Sequence, residues 1–326
     1  MKYSNSSILV VGGAGFIGLH VNKMLNAHGY NTVIFDDLSQ GNRQAIKWGI
    51  FSEGSLNYKE NIEKVFSENS IQAVMHFAAL TDVGESVNDP AKYYTQNVVN
   101  TLNLLEVMRL HEVKTIVFSS SAAIFGIPHS PHIDETHACV PINPYGKSKL
   151  IIETILSDYD VAYGLKSSSL RYFNAAGGDP DGEIKNYKHK ENNLIPIILR
   201  SLLNSKSSPV TIFGTDYPTA DGTCIRDYIH VNDLASAHIL AMEYLLKENH
   251  SSHYNLGNGN GFSVWEVINS VERVTGKKVN VIEGARRPGD PPILVADSQK
   301  AMRELGWYGK YTELDTMVAH AWKALL

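Results

Sequence analysis

Two side chains capable of acid–base chemistry stand four residues apart in Pro144-Tyr145-Gly146-Lys147-Ser148-Lys149, directly after Asn143. Asparagine suits a helix N-cap and proline the first helical turn, so the stretch predicts a helix with Tyr145 and Lys149 one turn apart on one face. A phenol normally ionises near pH ~10. A neighbouring ammonium favours phenolate, which makes the pair a candidate general base near neutral pH. Such pairs also arise by chance on surface helices, so a third group matters. Ser119-Ser120-Ser121 closes the apolar run 115–118, and a hydroxyl at the C-terminal edge of a strand can bridge a substrate oxygen and the phenol. Ser121 is the catalytic choice, whereas Ser119 and Ser120 read as a polar turn.

A second constellation lies near the start of the chain. Gly12-Gly13-Ala14-Gly15-Phe16-Ile17-Gly18 follows the apolar run 8–11 and opens a helical pattern. Gly12 allows a tight turn, Gly15 a close approach of backbone to pyrophosphate, and Gly18 close packing of helix on sheet. The free N–H groups of the helix then meet phosphate charge. Asp36 closes the next apolar run at the spacing expected of a ribose-binding carboxylate. It would repel a 2′-phosphate, which favours NAD over NADP. The competing reading, that Asp36-Asp37 merely caps a turn, is the weaker one. In His76-Phe77-Ala78-Ala79, Phe77 and Ala78 are placed to lie against the cofactor, and His76 reads as a packed core histidine without chemistry. The positive ring of a nicotinamide would add to Lys149 in favouring a Tyr145 phenolate.

These groups need a frame to hold them. Runs 8–11, 32–35, 73–77 and 115–118 are short and continuously apolar, as for parallel strands buried on both faces. Helical patterns over 16–25 and 97–110 lie between them. Repeated alternation of this kind predicts an α/β fold, a Rossmann-type doubly wound parallel sheet. Beyond about residue 175 the texture changes: 174–191 is rich in Gly, Asp, Asn, Lys and Pro and reads as a loop or insertion. The expected organisation is a dinucleotide-binding domain over 1–175 and a smaller C-terminal substrate-binding lobe over 176–326, with some segments crossing back and ligands held in the cleft.

Bulk properties narrow the partners. A net charge of −5 over 326 residues gives no electrostatic reason to expect nucleic acid or an anionic membrane. An anionic ligand must therefore be gripped by a few placed arginines. The run 8–17 is interrupted by three glycines and reads as a buried strand rather than a leader. Cys139 and Cys224 show no metal-ligand spacing and read as two buried free thiols in a reducing, cytoplasmic compartment.

Together, residues 12–18, 119–121 and 145–149 resemble the extended short-chain dehydrogenase/reductases that act on nucleotide sugars. Val83-Gly84-Glu85-Ser86, Arg171-Tyr172-Phe173-Asn174, the string from Asp221 through Arg226 to Val231, and Tyr254-Asn255-Leu256-Gly257-Asn258-Gly259 are similar to the UDP-glucose 4-epimerases in particular. The resemblance spans nearly the whole chain. It implies NAD as cofactor, a UDP-sugar as substrate and 4-epimerisation through a 4-keto sugar, with Gly12, Gly15, Phe16, Ile17, Gly18, Asp36, Phe77, Ala78, Tyr145 and Lys149 around the cofactor. It also implies that Asn174 and Asn193 bind phosphate or sugar and that Leu194 and Phe213 flank uracil. Arg226 and Arg287 would clamp the diphosphate, Asp290 would take ribose hydroxyls, and Leu294 would gate the sugar pocket. Guanidinium suits this task because its planar fork matches phosphate oxygens; the competing reading of Arg226 is an ion pair with a carboxylate such as Asp227.

Some positions depart from the family pattern. Gly54-Ser55, Thr81, Gln96 and Phe125 replace Gly-Asp, lysine, asparagine and tyrosine, which predicts weaker NAD binding. Nucleotide-sugar dehydratases carry an Asp-Glu pair after the strand-end hydroxyl; Ala122-Ala123 stand here, which argues against that reaction. The alternatives are 4-epimerisation of another UDP-sugar (N-acetylhexosamine, pentose or uronic acid) or an inactive NAD-binding relative. Analogy at the level of the fold implies a homodimer formed through helices near 97–110 and 145–156.

Overall fold

The computed structural model describes residues 6–185, 193–203, 208–287 and 290–326. The large sheet contains β1 (Ser7–Val11), β2 (Asn31–Asp36), β3 (Ile50–Glu53), β4 (Ile71–His76), β5 (Thr115–Ser121), β7 (Lys166–Tyr172) and β11 (Ser252–Leu256). They run in the order β11-β7-β5-β4-β1-β2-β3, and every pairing is parallel. The chain moves outward on one side from β1 and restarts at β4 on the other, so the switch point lies between β1 and β4. In open α/β sheets the crevice beyond the carboxyl ends at such a point binds the ligand.

The continuous apolar runs follow from burial on both faces. Ile8 and Val10 pack with helix Val231–Glu248 on one side. Leu9 and Val11 pack with helices Lys59–Glu68, Asn100–Leu110 and Pro144–Tyr163 on the other. The doubly wound sheet expected from the sequence is present. The helix expected from residue 97 begins at Asn100 and is preceded by a wider π-type turn, Tyr94–Val99. Within that turn Asn97 bridges Leu80 and the Ser148 hydroxyl, a tertiary tie that α-helical periodicity does not reveal.

The smaller sheet runs β12 (Gly261–Ser263), β10 (Ile225–His230), β14 (Ile293–Ala296), β6 (His132–Ile133), with β8 (Asn174–Ala176) also on β10. β9 (Val210–Phe213) and β13 (Val281–Gly284) form a separate parallel ribbon. Residues 174–176, expected as loop, are thus a strand, because β10 offers them a parallel edge; 186–191 lie outside the described residues. The second half is also more regular than its texture suggests. Its 18-residue helix Val231–Glu248 and β11 return to the large sheet, while β6 from the first half joins the small one. Cys139 and Cys224 are free thiols, Cys224 buried and Cys139 partly exposed rather than buried. Among the described residues no helix is long and apolar enough to cross a membrane.

Asp227 fastens the small sheet. Fully buried, it accepts hydrogen bonds from the backbone N–H groups of Asn258 (2.7 Å), Gly259 (3.0 Å) and Ala296 (3.0 Å). Desolvation nevertheless pushes its pKa up to about 6. Asp227→Ala strands three amides away from water, so we expect a loss of about 3–5 kcal/mol of stability in chemical denaturation. A loss within about 0.5 kcal/mol would contradict this role.

Candidate active site

The glycine turn owes its geometry to close backbone contacts. Gly12 has φ +76°, and a Cβ there would lie 2.5 Å from the Ala78 nitrogen across the switch point. Phe77 and Ala78 both donate N–H bonds to the Val11 carbonyl (2.8 and 3.2 Å), which places the ends of β1 and β4 side by side. A Cβ on Gly18 would meet the Gly12 oxygen at 2.5 Å and the Gly13 Cα at 2.7 Å. Gly18 therefore packs the helix against the turn itself, and Gly13, against Val10 and Ile34, is the glycine that packs on the sheet. Helix Phe16–Ala27 starts from Gly15 without a side-chain cap, so its first N–H groups are offered forward with Phe16 and Ile17 at their base. This is a cradle for an anion.

Asp36 at the end of β2 takes an N–H bond from Ala14 on one carboxylate oxygen (2.9 Å) and one from Leu38 on the other (2.8 Å). Burial raises its pKa and these two donors oppose that. Each oxygen keeps a lone pair for a further donor, so Asp36 both pins the turn and fits a ribose diol. His76, on β4, bonds Thr101 Oγ1 at 2.9 Å and burial drops its pKa to about 3; it is a neutral core residue.

Helix Pro144–Tyr163 is capped by the Asn143 side chain, which accepts the Gly146 N–H at 2.8 Å, and Pro144 occupies its first turn. The cap sets the helix phase, and both Tyr145 and Lys149 point into the protein, 9 % and 2 % exposed. The Lys149 ammonium donates to the Ser119 carbonyl (2.7 Å) and lies 5.9 Å from the Tyr145 ring centre. Ser121 ends β5, accepts the Ala123 N–H (3.1 Å), and sits close enough to the Tyr145 side chain for its hydroxyl to favour the phenolate.

The electrostatics differ from the simple expectation. Burial raises the Tyr145 pKa, opposed by Ser121, and burial drops Lys149 to about 7, opposed by Glu153. In the protein alone the lysine does not produce a ready phenolate, because its ammonium is itself desolvated and tied to a carbonyl. A further positive charge beside the phenol is needed.

Ser119 and Ser120 are not a polar turn. Both are buried strand residues with fixed partners: Ser119 bonds the Tyr172 hydroxyl and Ser120 donates to Glu153. Glu153 also takes a two-pronged ion pair from Arg171 (Nη2–Oε2 2.6 Å). This cluster carried no role in the sequence reading. Its one local signal was a carboxylate a single helical turn beyond Lys149.

At the far end, Arg226 on β10 pairs with Asp290, not with the adjacent Asp227, and donates to the carbonyls of Ile225 (2.7 Å) and Pro291 (2.8 Å). Arg286 pairs with Asp216, while Arg287 stacks 4.0 Å over the Phe213 ring. Asn174 donates to the Asp227 carbonyl (2.7 Å). Asn193 precedes helix Leu194–Ser201 without capping it by its side chain. Leu294 pairs with Arg226 in the β10–β14 register and packs against a cluster that includes Phe125 and Phe173. A small cavity of about 50 Å³ lies beside the start of helix Phe16–Ala27, lined by Phe16, Ala175 and Asn193 among others.

The NAD dependent epimerase/dehydratase family model matches residues 8–257. The chain belongs to this family. It is 48% identical to a UDP-glucose 4-epimerase of Halalkalibacterium halodurans over 97% of this chain and 94% of that one. A crystal structure of UDP-glucose 4-epimerase from Brucella ovis in complex with NAD superposes with a TM-score of 0.95 at 47% identity, covering 97% of each chain. That of the Bifidobacterium longum UDP-glucose 4-epimerase, in complex with NAD+ and UDP, gives 0.92 at 38% identity, covering 98% of each. Family membership covers both epimerases and dehydratases, and here the turn after Ser121 begins with Ala122 and Ala123, which can neither give nor take a proton.

Proposed function

We propose that this chain interconverts UDP-galactose and UDP-glucose, using NAD without consuming it. The observation that carries this is the meeting of Ser121, Tyr145 and Lys149 beside the β1–β4 switch point, with no acid or base at 122 and 123. The residues fit NAD: the Gly12 turn leaves no room for a side chain, and Asp36 retains acceptor capacity. Bound NAD would supply a hydride acceptor and donor for the sugar C4, and its positive ring would supply the charge that Tyr145 lacks. Tyr145 takes the proton of the 4-hydroxyl and returns it after the 4-keto sugar has presented its other face. Ser121 orders that hydrogen bond. Lys149 would hold the nicotinamide ribose and stabilise the phenolate.

Arg226 and Arg287 grip the diphosphate, Asp290 the ribose, and Leu194 and Phe213 the uracil, with Asn174 and Asn193 toward phosphate and sugar. Firm binding far from C4 lets the sugar turn without leaving. Purified protein mixed with UDP-galactose and NAD is expected to form UDP-glucose; no product would overturn the assignment.

Leu294 sets the sugar range in this reading. It is a mid-sized apolar side chain, so UDP-N-acetylglucosamine should be turned over to a measurable extent. Leu294→Tyr should lower kcat/KM for the acetylated sugar about tenfold or more, as expected for a lost pocket fit. Equal rejection by both proteins would sink this. The assembly we infer is a homodimer: Ile151 on helix Pro144–Tyr163 and Val99, Val83 and Val87, on segments that pack against that helix, are exposed apolar residues. Two free thiols fit a cytoplasmic setting.

A further inference from the structure

Lys149 is a buried cation, and its surroundings are nearly all neutral. On its own helix stand Tyr145 and, one turn onward, Glu153. From β4 comes His76, held neutral by burial, and from β5 the Phe118 ring, 4.8 Å from the ammonium. From β7 come Tyr172, whose phenol burial keeps protonated, and Arg171. Cys139 and His253 lie near Arg171 and Glu153, and burial keeps both uncharged. Among the described residues, Glu153 is the anion that opposes the fall in the Lys149 pKa.

Lys149 and Glu153 stand one turn apart on helix Pro144–Tyr163, and each is held to one of two neighbouring residues of β5. Lys149 donates to the Ser119 carbonyl (2.7 Å), and the next residue, Ser120, donates its hydroxyl to Glu153 Oε1. Ser120 and Arg171 are register partners on β5 and β7, and Arg171 closes the cluster on Glu153 through Nε and Nη2. The side chains of Arg171 and Glu153 are 7% and 10% exposed, so this carboxylate acts in a medium where charge is weakly screened.

We propose that Glu153 is a positioning residue for the reaction, the carboxylate one helical turn from Lys149 that keeps it a cation. The proposal rests on the epimerase reading for its catalytic consequence. Its physical core, the ionisation of Lys149, does not depend on substrate. The surroundings hold Lys149 near the bottom of the range in which it stays charged at neutral pH. Removing the carboxylate charge shifts the balance further toward the neutral amine. Turnover that needs the ammonium is then lost at a lower pH.

The test uses the full NAD-loaded chain and the variants Glu153→Gln and Glu153→Asp. The Lys149 carbon-13 ε shift, assigned through its absence in Lys149→Arg, is followed against pH. In Glu153→Gln the titration midpoint should fall by about one unit, and the alkaline limb of kcat on UDP-galactose should move with it. Turnover on that limb drops about tenfold, while KM stays within about twofold. Glu153→Asp, which keeps the charge, should lie between the two. An unshifted Lys149 midpoint in Glu153→Gln overturns the proposal. So does a uniform loss of activity at every pH, which marks a purely structural role. Should Glu153→Gln fail to fold, Glu153→Asp decides, with no shift counting against. Wild-type protein inactive on UDP-galactose would overturn the functional reading alone, since the lysine titration still judges this one.

Discussion

Tyr145→Phe should lower kcat for UDP-galactose by about a hundred- to ten-thousandfold, the usual worth of a positioned general acid–base. The change deletes one oxygen from a side chain that is 9 % exposed and keeps the ring that packs there. The hydroxyl that faces it is Ser121, at the edge of β5 and able to turn to other acceptors. Stability should therefore change by less than about 1.5 kcal/mol, and KM by a few-fold, because the lost group matters only while a proton is moving. The size of the effect follows from burial. Desolvation holds the phenol protonated, so the phenolate forms only where positive charge is supplied. Steady-state kinetics together with a thermal melt would check this. A folded Tyr145→Phe protein with wild-type turnover would remove Tyr145 from the mechanism.

The second large effect is expected at the other end of the substrate. Arg226→Leu should weaken UDP binding by about a hundredfold, measured by calorimetry, since charge-assisted hydrogen bonds contribute about 1.5–3 kcal/mol. Arg226 is preorganised: Asp290 and two carbonyls fix its guanidinium, whose side chain is 14% exposed. A fork already held in place loses less entropy when phosphate arrives. Arg226→Lys keeps the charge without the fork and should weaken binding about tenfold. Because remote grip is spent on holding the turning sugar, kcat should fall as well as affinity. UDP affinity unchanged in Arg226→Leu would show that the Arg226–Asp290 pair is structural and would move the diphosphate to Arg287.

The substrate end also shows why neighbouring residues in the chain mislead. Asp227 follows Arg226 directly, yet in a strand the two point to opposite faces. Arg226 turns to Asp290, 64 residues away, while Asp227 faces the amides of residues 258, 259 and 296. Adjacency in sequence suggested an ion pair that the pleat of β10 forbids.

What the sequence determined by itself is whatever depends on local spacing and on two-sided burial. The glycine turn, the Asn143 cap, the single face shared by Tyr145 and Lys149, and the parallel strands all follow from backbone rules that act within a few residues. The tertiary structure alone decided where each buried polar group finds its partner. Ser119 and Ser120 read as a polar turn until Tyr172 and Glu153 are brought against them from 53 and 33 residues away. Strand β11 returns to the large sheet because β7 presents an unpaired edge there. The Lys149 charge is likewise a property of its surroundings: an ammonium buried this deeply depends on a carboxylate that helix, strand and Arg171 jointly hold in place. Hydrogen bonding and desolvation act through space, and the chain distance between their partners has no local pattern to read.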